Sequence, residues 1–133
     1  MESSTDKTRK HILVVEDEPD IRDAIAEALT EAGFKVSTGG DGYAGLRLAT
    51  LEHPDLILLD LVMPGLDGHA MLDKLRQDPW GKDAKVIILS SMDDLGNIAG
   101  AHEGKILDYI IKAHHSLDEI INKVRLAMYT ETS

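Results

Sequence analysis

The chain has 133 residues, enough for one domain of ordinary size. It has no cysteine, which excludes disulfides and thiolate metal sites, and no apolar run near the roughly 20 residues of a membrane span. A net charge of −10 argues against a phosphate-backbone partner and for cationic ones, metal ions included.

The stretch 1–9 is polar, lacks the apolar segment of a secretory signal and reads as a disordered tail. A folded unit is expected over 10–129, with a short tail over 130–133, in a soluble cytoplasmic protein. The first apolar run, HILVV at 11–15, is nearly continuous in Ile, Leu and Val, as in a strand covered on both faces. Ile21, Ala24, Ile25, Ala28, Leu29 and Ala32 then recur at three- and four-residue steps, one stripe of a helix. Pro19 suits the first turn of that helix and Gly33 a left-handed stop. KVST at 35–38 is a weaker strand signal and reads as an edge. A second helix is expected over 43–52, ending before Pro54. LILL at 56–59 is the third strand, and a helix follows from after Asp67 to about Gln77. Trp80 falls in a loop and reads as structural. VIIL at 86–89 is the fourth strand. A fourth helix is expected over 94–103, stopped by Gly104 and weakened by Gly96 and Gly100, each costing about 1 kcal/mol relative to alanine. YII at 109–111 is the fifth strand. Ser116 and Glu119 at capping-box spacing open a last helix with Leu117, Ile120, Ile121, Val124 and Met128 inward.

Five strands alternating with five helices predict an α/β, doubly wound, five-stranded parallel sheet, for which the flavodoxin-like order 2-1-3-4-5 leads. In such sheets ligands bind beyond the carboxyl ends of the strands. There the chain places Glu16 and Asp17 after the first strand, Asp60 after the third, Ser90 and Ser91 after the fourth and Lys112 after the fifth. One acidic residue at a strand end is usually a cap or a solvated turn; three carboxylates, a hydroxyl and a lysine on one rim are a site. Carboxylates about 4 Å apart repel by roughly 4 kcal/mol per pair at an effective dielectric near 20, so a proton or a cation belongs among them. Magnesium suits an all-oxygen site. No twelve-residue calcium loop is present, and no histidine joins the cluster at zinc-ligand spacing. A carboxylate is ionised at neutral pH and attacks phosphorus without a general base, while the lysine and hydroxyl receive phosphoryl oxygens.

VVEDEPD at 14–20, LILLDLVMPGLDG at 56–68, VIILSS at 86–91 and DYIIK at 108–112 resemble the receiver domains of two-component response regulators, over roughly 10–128. The resemblance implies Asp60 as phosphoacceptor. It implies Asp17 as a direct Mg2+ ligand with Asp60, Glu16 as a ligand through water, and the backbone carbonyl of Val62 as a further one. Lys112 would pair with the phosphoryl group, Ser90 would move toward it, and Tyr109 would swing inward. Pro64, Gly65 and Gly68 would shape the loop after Asp60. The implied donor is a histidine kinase or histidine phosphotransfer protein. The implied output is a change of shape on the face of the fourth helix, fifth strand and fifth helix, read by a downstream protein or by a second copy of the chain.

The chain departs from that family at Ala113, where proline usually follows the lysine, with His114 and His115 next. Val62 and Met92 are apolar at the two places that, by the resemblance, flank the route of the hydrolytic water, so self-dephosphorylation is expected in hours rather than seconds. Two other readings compete. A degenerate receiver would act as an unphosphorylated interaction module. A phosphatase of the haloacid dehalogenase type needs a second acid two residues after its nucleophile, where this chain has Val62. No recognition helix fits after the fifth helix, so direct nucleic-acid binding is not expected, and without a long apolar run neither is a membrane partner.

Overall fold

A computed structural model describes residues 9–61, 63, 68–90, 106–112 and 115–129. The elements are β1 (His11–Val15), α1 (Pro19–Glu31), β2 (Lys35–Gly39), α2 (Gly42–Glu52), β3 (Leu56–Asp60), α3 (Gly68–Gln77), a 3-10 turn (Gly81–Asp83), β4 (Val86–Ser90), β5 (Asp108–Ile111) and α4 (Leu117–Tyr129). The strands form one parallel sheet in the order β2-β1-β3-β4-β5.

The two-residue alternation of a strand explains why the apolar runs are nearly continuous. Leu13, Val15, Ile57, Leu59, Val86 and Ile88 point to one face and are covered by α2 and α3 through Ala49, Met71, Leu72 and Leu75. Ile12, Val14, Leu56, Leu58, Ile87, Leu89 and Ile110 point to the other, covered by α1 and α4 through Ile25, Leu29, Ile120, Ile121, Val124 and Met128. Both faces of the three central strands are thus dry, and their polar side chains lie at the strand ends.

Gly33 has φ +103°, the left-handed stop expected after α1, and Pro19 is in its first turn. Asp41 caps α2 by accepting from the Ala44 N–H at 2.8 Å, so this helix begins one residue before the expected Tyr43. The helix ends on His53, left-handed at φ 50° and stacked on Trp80 with ring centroids 4.5 Å apart. Trp80 is therefore structural. Ser116 and Glu119 form the expected reciprocal cap of α4.

The strands run slightly further than the apolar runs. Asp60 pairs in register with Leu89, and Ser90 with Ile111. Both polar residues are therefore the last rungs of the ladder rather than the first residues of loops. The expected helix over 94–103 lies outside the described residues, with its stop Gly104. So do Val62, Pro64, Gly65, Asp67, Ser91, Met92, Ala113, His114 and the segments 1–8 and 130–133. No helix among the described residues is long and apolar enough to cross a membrane.

Candidate functional site

At the carboxyl edge of the sheet, β1 hands over to Glu16, whose side chain is completely buried. Its backbone is clamped from two sides. Its N–H donates to the Gly39 carbonyl at 3.1 Å, and its carbonyl accepts from Arg22 Nη1 at 3.3 Å. Its carboxylate accepts from the Glu18 N–H through Oε2 at 3.2 Å and from Lys112 Nζ through Oε1 at 2.9 Å. A buried carboxylate demands such partners, because removing it from water unpaired costs several kcal/mol.

Asp60, only 3% exposed, closes β3 in the middle of the sheet. Its Oδ2 lies 3.4 Å from the same Lys112 Nζ. One carboxylate oxygen each from Glu16, Asp17 and Asp60 lies within 4.8 Å of the others. Among the described residues, three carboxylates therefore face one ammonium, a local excess of two. Burial opposes the charge on Lys112, but its hydrogen bond to Glu16 and the fields of Asp60 and Glu16 outweigh it and hold the amine above its ordinary 10.5. The lysine is a permanent cation at neutral pH.

Ser90, on the strand beside Asp60, is fully buried, and its hydroxyl has no hydrogen-bond partner among the described residues. Such orphans are rare in folded proteins. Tyr109 is 40% exposed, on the outer side of the edge strand, while its neighbour Ile110 is buried.

Gly68 sets the backbone geometry below Asp60. Its N–H donates to the Leu61 carbonyl at 2.9 Å, and a Cβ at this position would meet the Asp60 carbonyl oxygen at 2.3 Å. Glycine is needed here for close approach, beyond any role as a turn former. The roles of Arg22 and Glu18 in holding Glu16 were missed in the sequence. Glu18 is the N-cap residue of α1 and Arg22 its fourth residue, and neither residue type marks the role in the sequence.

The structure thus brings together Glu16, Asp17, Asp60, Lys112 and Ser90, with Tyr109 at the margin. The donor set fits a hard divalent cation. It is all oxygen, its three carboxylates meet one ammonium, and among the described residues no histidine belongs to it.

The model of the response regulator receiver domain family matches residues 12–125. Among curated proteins, the transcriptional activator protein IrlR of Burkholderia pseudomallei is 38% identical over 114 residues, covering 86% of this chain and 48% of that protein. The response regulator PleD of Caulobacter vibrioides is 33% identical over 120 residues, covering 90% of this chain and 26% of that one. The chain spans about half the length, or less, of the curated relatives it matches. Among solved structures, the receiver domain of the Francisella response regulator 1452 superposes with a TM-score of 0.81 at 31% identity, covering 94% of this chain and 100% of that one. The chemotaxis protein CheY4 of Vibrio cholerae shares the fold at a TM-score of 0.82 and 20% identity, covering 89% and 98%. With this sheet order, this acidic rim and these relatives, the chain belongs to the response regulator receiver domains of two-component systems.

Proposed function

We propose that this domain, over residues 10–129, accepts a phosphoryl group on Asp60. The observation that carries the reading is one ammonium, Lys112 Nζ, set between the buried carboxylates of Asp60 and Glu16, beside the unpartnered Ser90 hydroxyl. Asp17 and Asp60 would hold Mg2+ directly, Glu16 through a water molecule, and Val62 through its backbone carbonyl. When bound, the ion neutralises phosphoryl oxygens and the excess charge of the acidic cluster.

The donor is a phosphohistidine of a histidine kinase or histidine phosphotransfer protein. An Asp60 oxygen forms the new O–P bond as the N–P bond of the donor breaks, and the released imidazole nitrogen keeps the electron pair and takes a proton from solvent. Lys112, held as a cation, shifts from carboxylate to phosphoryl oxygen. The Ser90 hydroxyl gains in the phosphoryl group the acceptor it lacks, and Tyr109 follows it inward from its exposed position. The consequence is read on the face made by β5, α4 and the segment before β5, by a downstream protein or a second copy. Apart from this self-phosphorylation and a slow self-dephosphorylation, the domain has no enzymatic turnover. A phosphatase of the haloacid dehalogenase type is disfavoured by Val62, which cannot act as an acid. The domain itself, at net charge −10, is not expected to bind nucleic acid or membrane; named transcriptional regulators among its relatives are longer chains.

Incubation with acetyl phosphate, followed by intact mass, tests the reading. One added phosphoryl group that needs magnesium and is lost in Asp60→Asn supports it. No addition from acetyl phosphate or from a phosphorylated histidine kinase leaves the domain as an unphosphorylated interaction module.

A further inference from the structure

β5 ends at Ile111, whose last ladder partner is Ser90, and Lys112 follows at once. The lysine carries a long, four-carbon side chain that must deliver its amine between two carboxylates on other strands, 2.9 Å from one and 3.4 Å from the other. Its direction depends on the peptide plane that joins Ile111 to Lys112. The Ile111 carbonyl is one end of that plane, and the Lys112 nitrogen is the other. His115 Nδ1 lies 3.0 Å from the Ile111 carbonyl oxygen. A carbonyl only accepts, so the ring is in the Nδ1–H form, or doubly protonated, and donates. Immediately beyond, the Ser116 N–H and the Glu119 N–H are locked in the cap of α4.

We infer that His115 is a positioning residue for Lys112: its Nδ1–H holds the Ile111 carbonyl and thereby fixes the peptide plane from which the phosphoryl-binding lysine departs. The bond closes a ring that contains Lys112, anchored on one side by the β4–β5 ladder and on the other by the capped helix. Residue 113 is alanine, which brings no ring constraint of its own, whereas the His115 side chain bonds the Ile111 carbonyl. Local side chain to backbone bonds of this kind also occur as ornaments of a helix start, with no role beyond stability. The two roles separate by experiment.

The inference rests on the reading of Lys112 as a partner of the phosphoryl group on Asp60, so it needs one readout that does not depend on phosphorylation. His115→Phe keeps a planar ring and removes the donor; His115→Asn keeps an N–H near the place of Nδ1. In the full chain, with magnesium and acetyl phosphate, His115→Phe should lower the phosphorylation rate constant about tenfold. That lies between the small loss expected for one neutral hydrogen bond and the roughly hundredfold loss for a catalytic group displaced by an ångström. His115→Asn should restore most of the rate. In a Lys112→Ala background, His115→Phe should have no further effect, because a residue that acts through another is silent once the other is gone. Independently, the NMR resonances of the Lys112 amide and side chain should shift in His115→Phe and return in His115→Asn. A wild-type rate and unshifted Lys112 resonances in a folded His115→Phe would overturn the inference, as would an equal loss on the Lys112→Ala background. If the unmodified chain takes up no phosphoryl group, the proposed function fails and the Lys112 resonances alone decide the role of His115.

Discussion

Replacing Asp60 by asparagine should stabilise this domain when divalent cations are absent. Asp60 Oδ2 lies 3.4 Å from Lys112 Nζ, an attraction of about 5 kcal/mol at an effective dielectric near 20. Asp60 also faces Glu16 and Asp17 at no more than 4.8 Å, and each of those repulsions is about 3.5 kcal/mol or more on the same scale. The repulsions exceed the attraction by about 2 kcal/mol. The partial exposure of Asp17 trims that to about 1–2 kcal/mol. Asparagine keeps the shape and removes the charge, so Asp60→Asn should gain about 1–2 kcal/mol in chelator, read as a shifted urea midpoint at unchanged slope. Magnesium should reverse the comparison. At a hundredfold excess over its dissociation constant, a ligand that binds only the folded state adds about 2.7 kcal/mol. The wild type should take that gain, and the variant, lacking one carboxylate ligand, much less of it. An Asp60→Asn protein less stable than wild type in chelator would refute this account of the cluster, since the carboxylate would then be held by more attraction than Lys112 supplies.

Gly68→Ala drives a Cβ into the Asp60 carbonyl oxygen and the Leu61 Cα, at 2.3 and 2.5 Å. Because the obstacle is backbone, the variant should lose about 3 kcal/mol or more in urea unfolding and also phosphorylate poorly. Ser90→Ala removes a buried hydroxyl that has no partner, so it should raise stability by up to about 1 kcal/mol while slowing phosphoryl uptake; a loss of stability would mean the hydroxyl already has a favourable contact. His11 donates from Nε2 to Ser37 at 2.8 Å, and Ser37 donates to Glu52 at 2.7 Å. Burial holds the His11 imidazole below its ordinary 6.5, against the pull of Glu52. The folded state therefore binds fewer protons there than the unfolded chain, and this part of the stability is complete above pH 6.5 and lost as pH falls through the lower folded value. His11→Gln should flatten the decline of stability on the acid side of pH 6.5, and an unchanged slope would exclude His11 as its source.

Much of the molecule was legible in one dimension. The apolar runs are continuous because both sheet faces are covered, and their shortness and β-branched content separate them from helices. Pro19, Gly33 and the Ser116–Glu119 pair act within a few residues of themselves, so local chemistry was enough to place them. Strand ends in a doubly wound sheet share one edge, and that rule alone placed Glu16, Asp17, Asp60, Ser90 and Lys112 on a common rim. Other features depend on atoms far apart in the chain. That Lys112 bonds Glu16 more closely than Asp60 is a matter of tenths of an ångström between three strands. That Gly68 is demanded by the Asp60 backbone, rather than by its own turn, appears only when α3 is docked under β3. The clamp of Arg22 on the Glu16 carbonyl and the bond of His115 to Ile111 involve residue types that occur anywhere on a surface, so no pattern marks them. Composition and periodicity determine which faces are dry and which edge is polar, because burial is a property of whole elements. Which polar atom meets which is decided by the packing that sets the elements against one another.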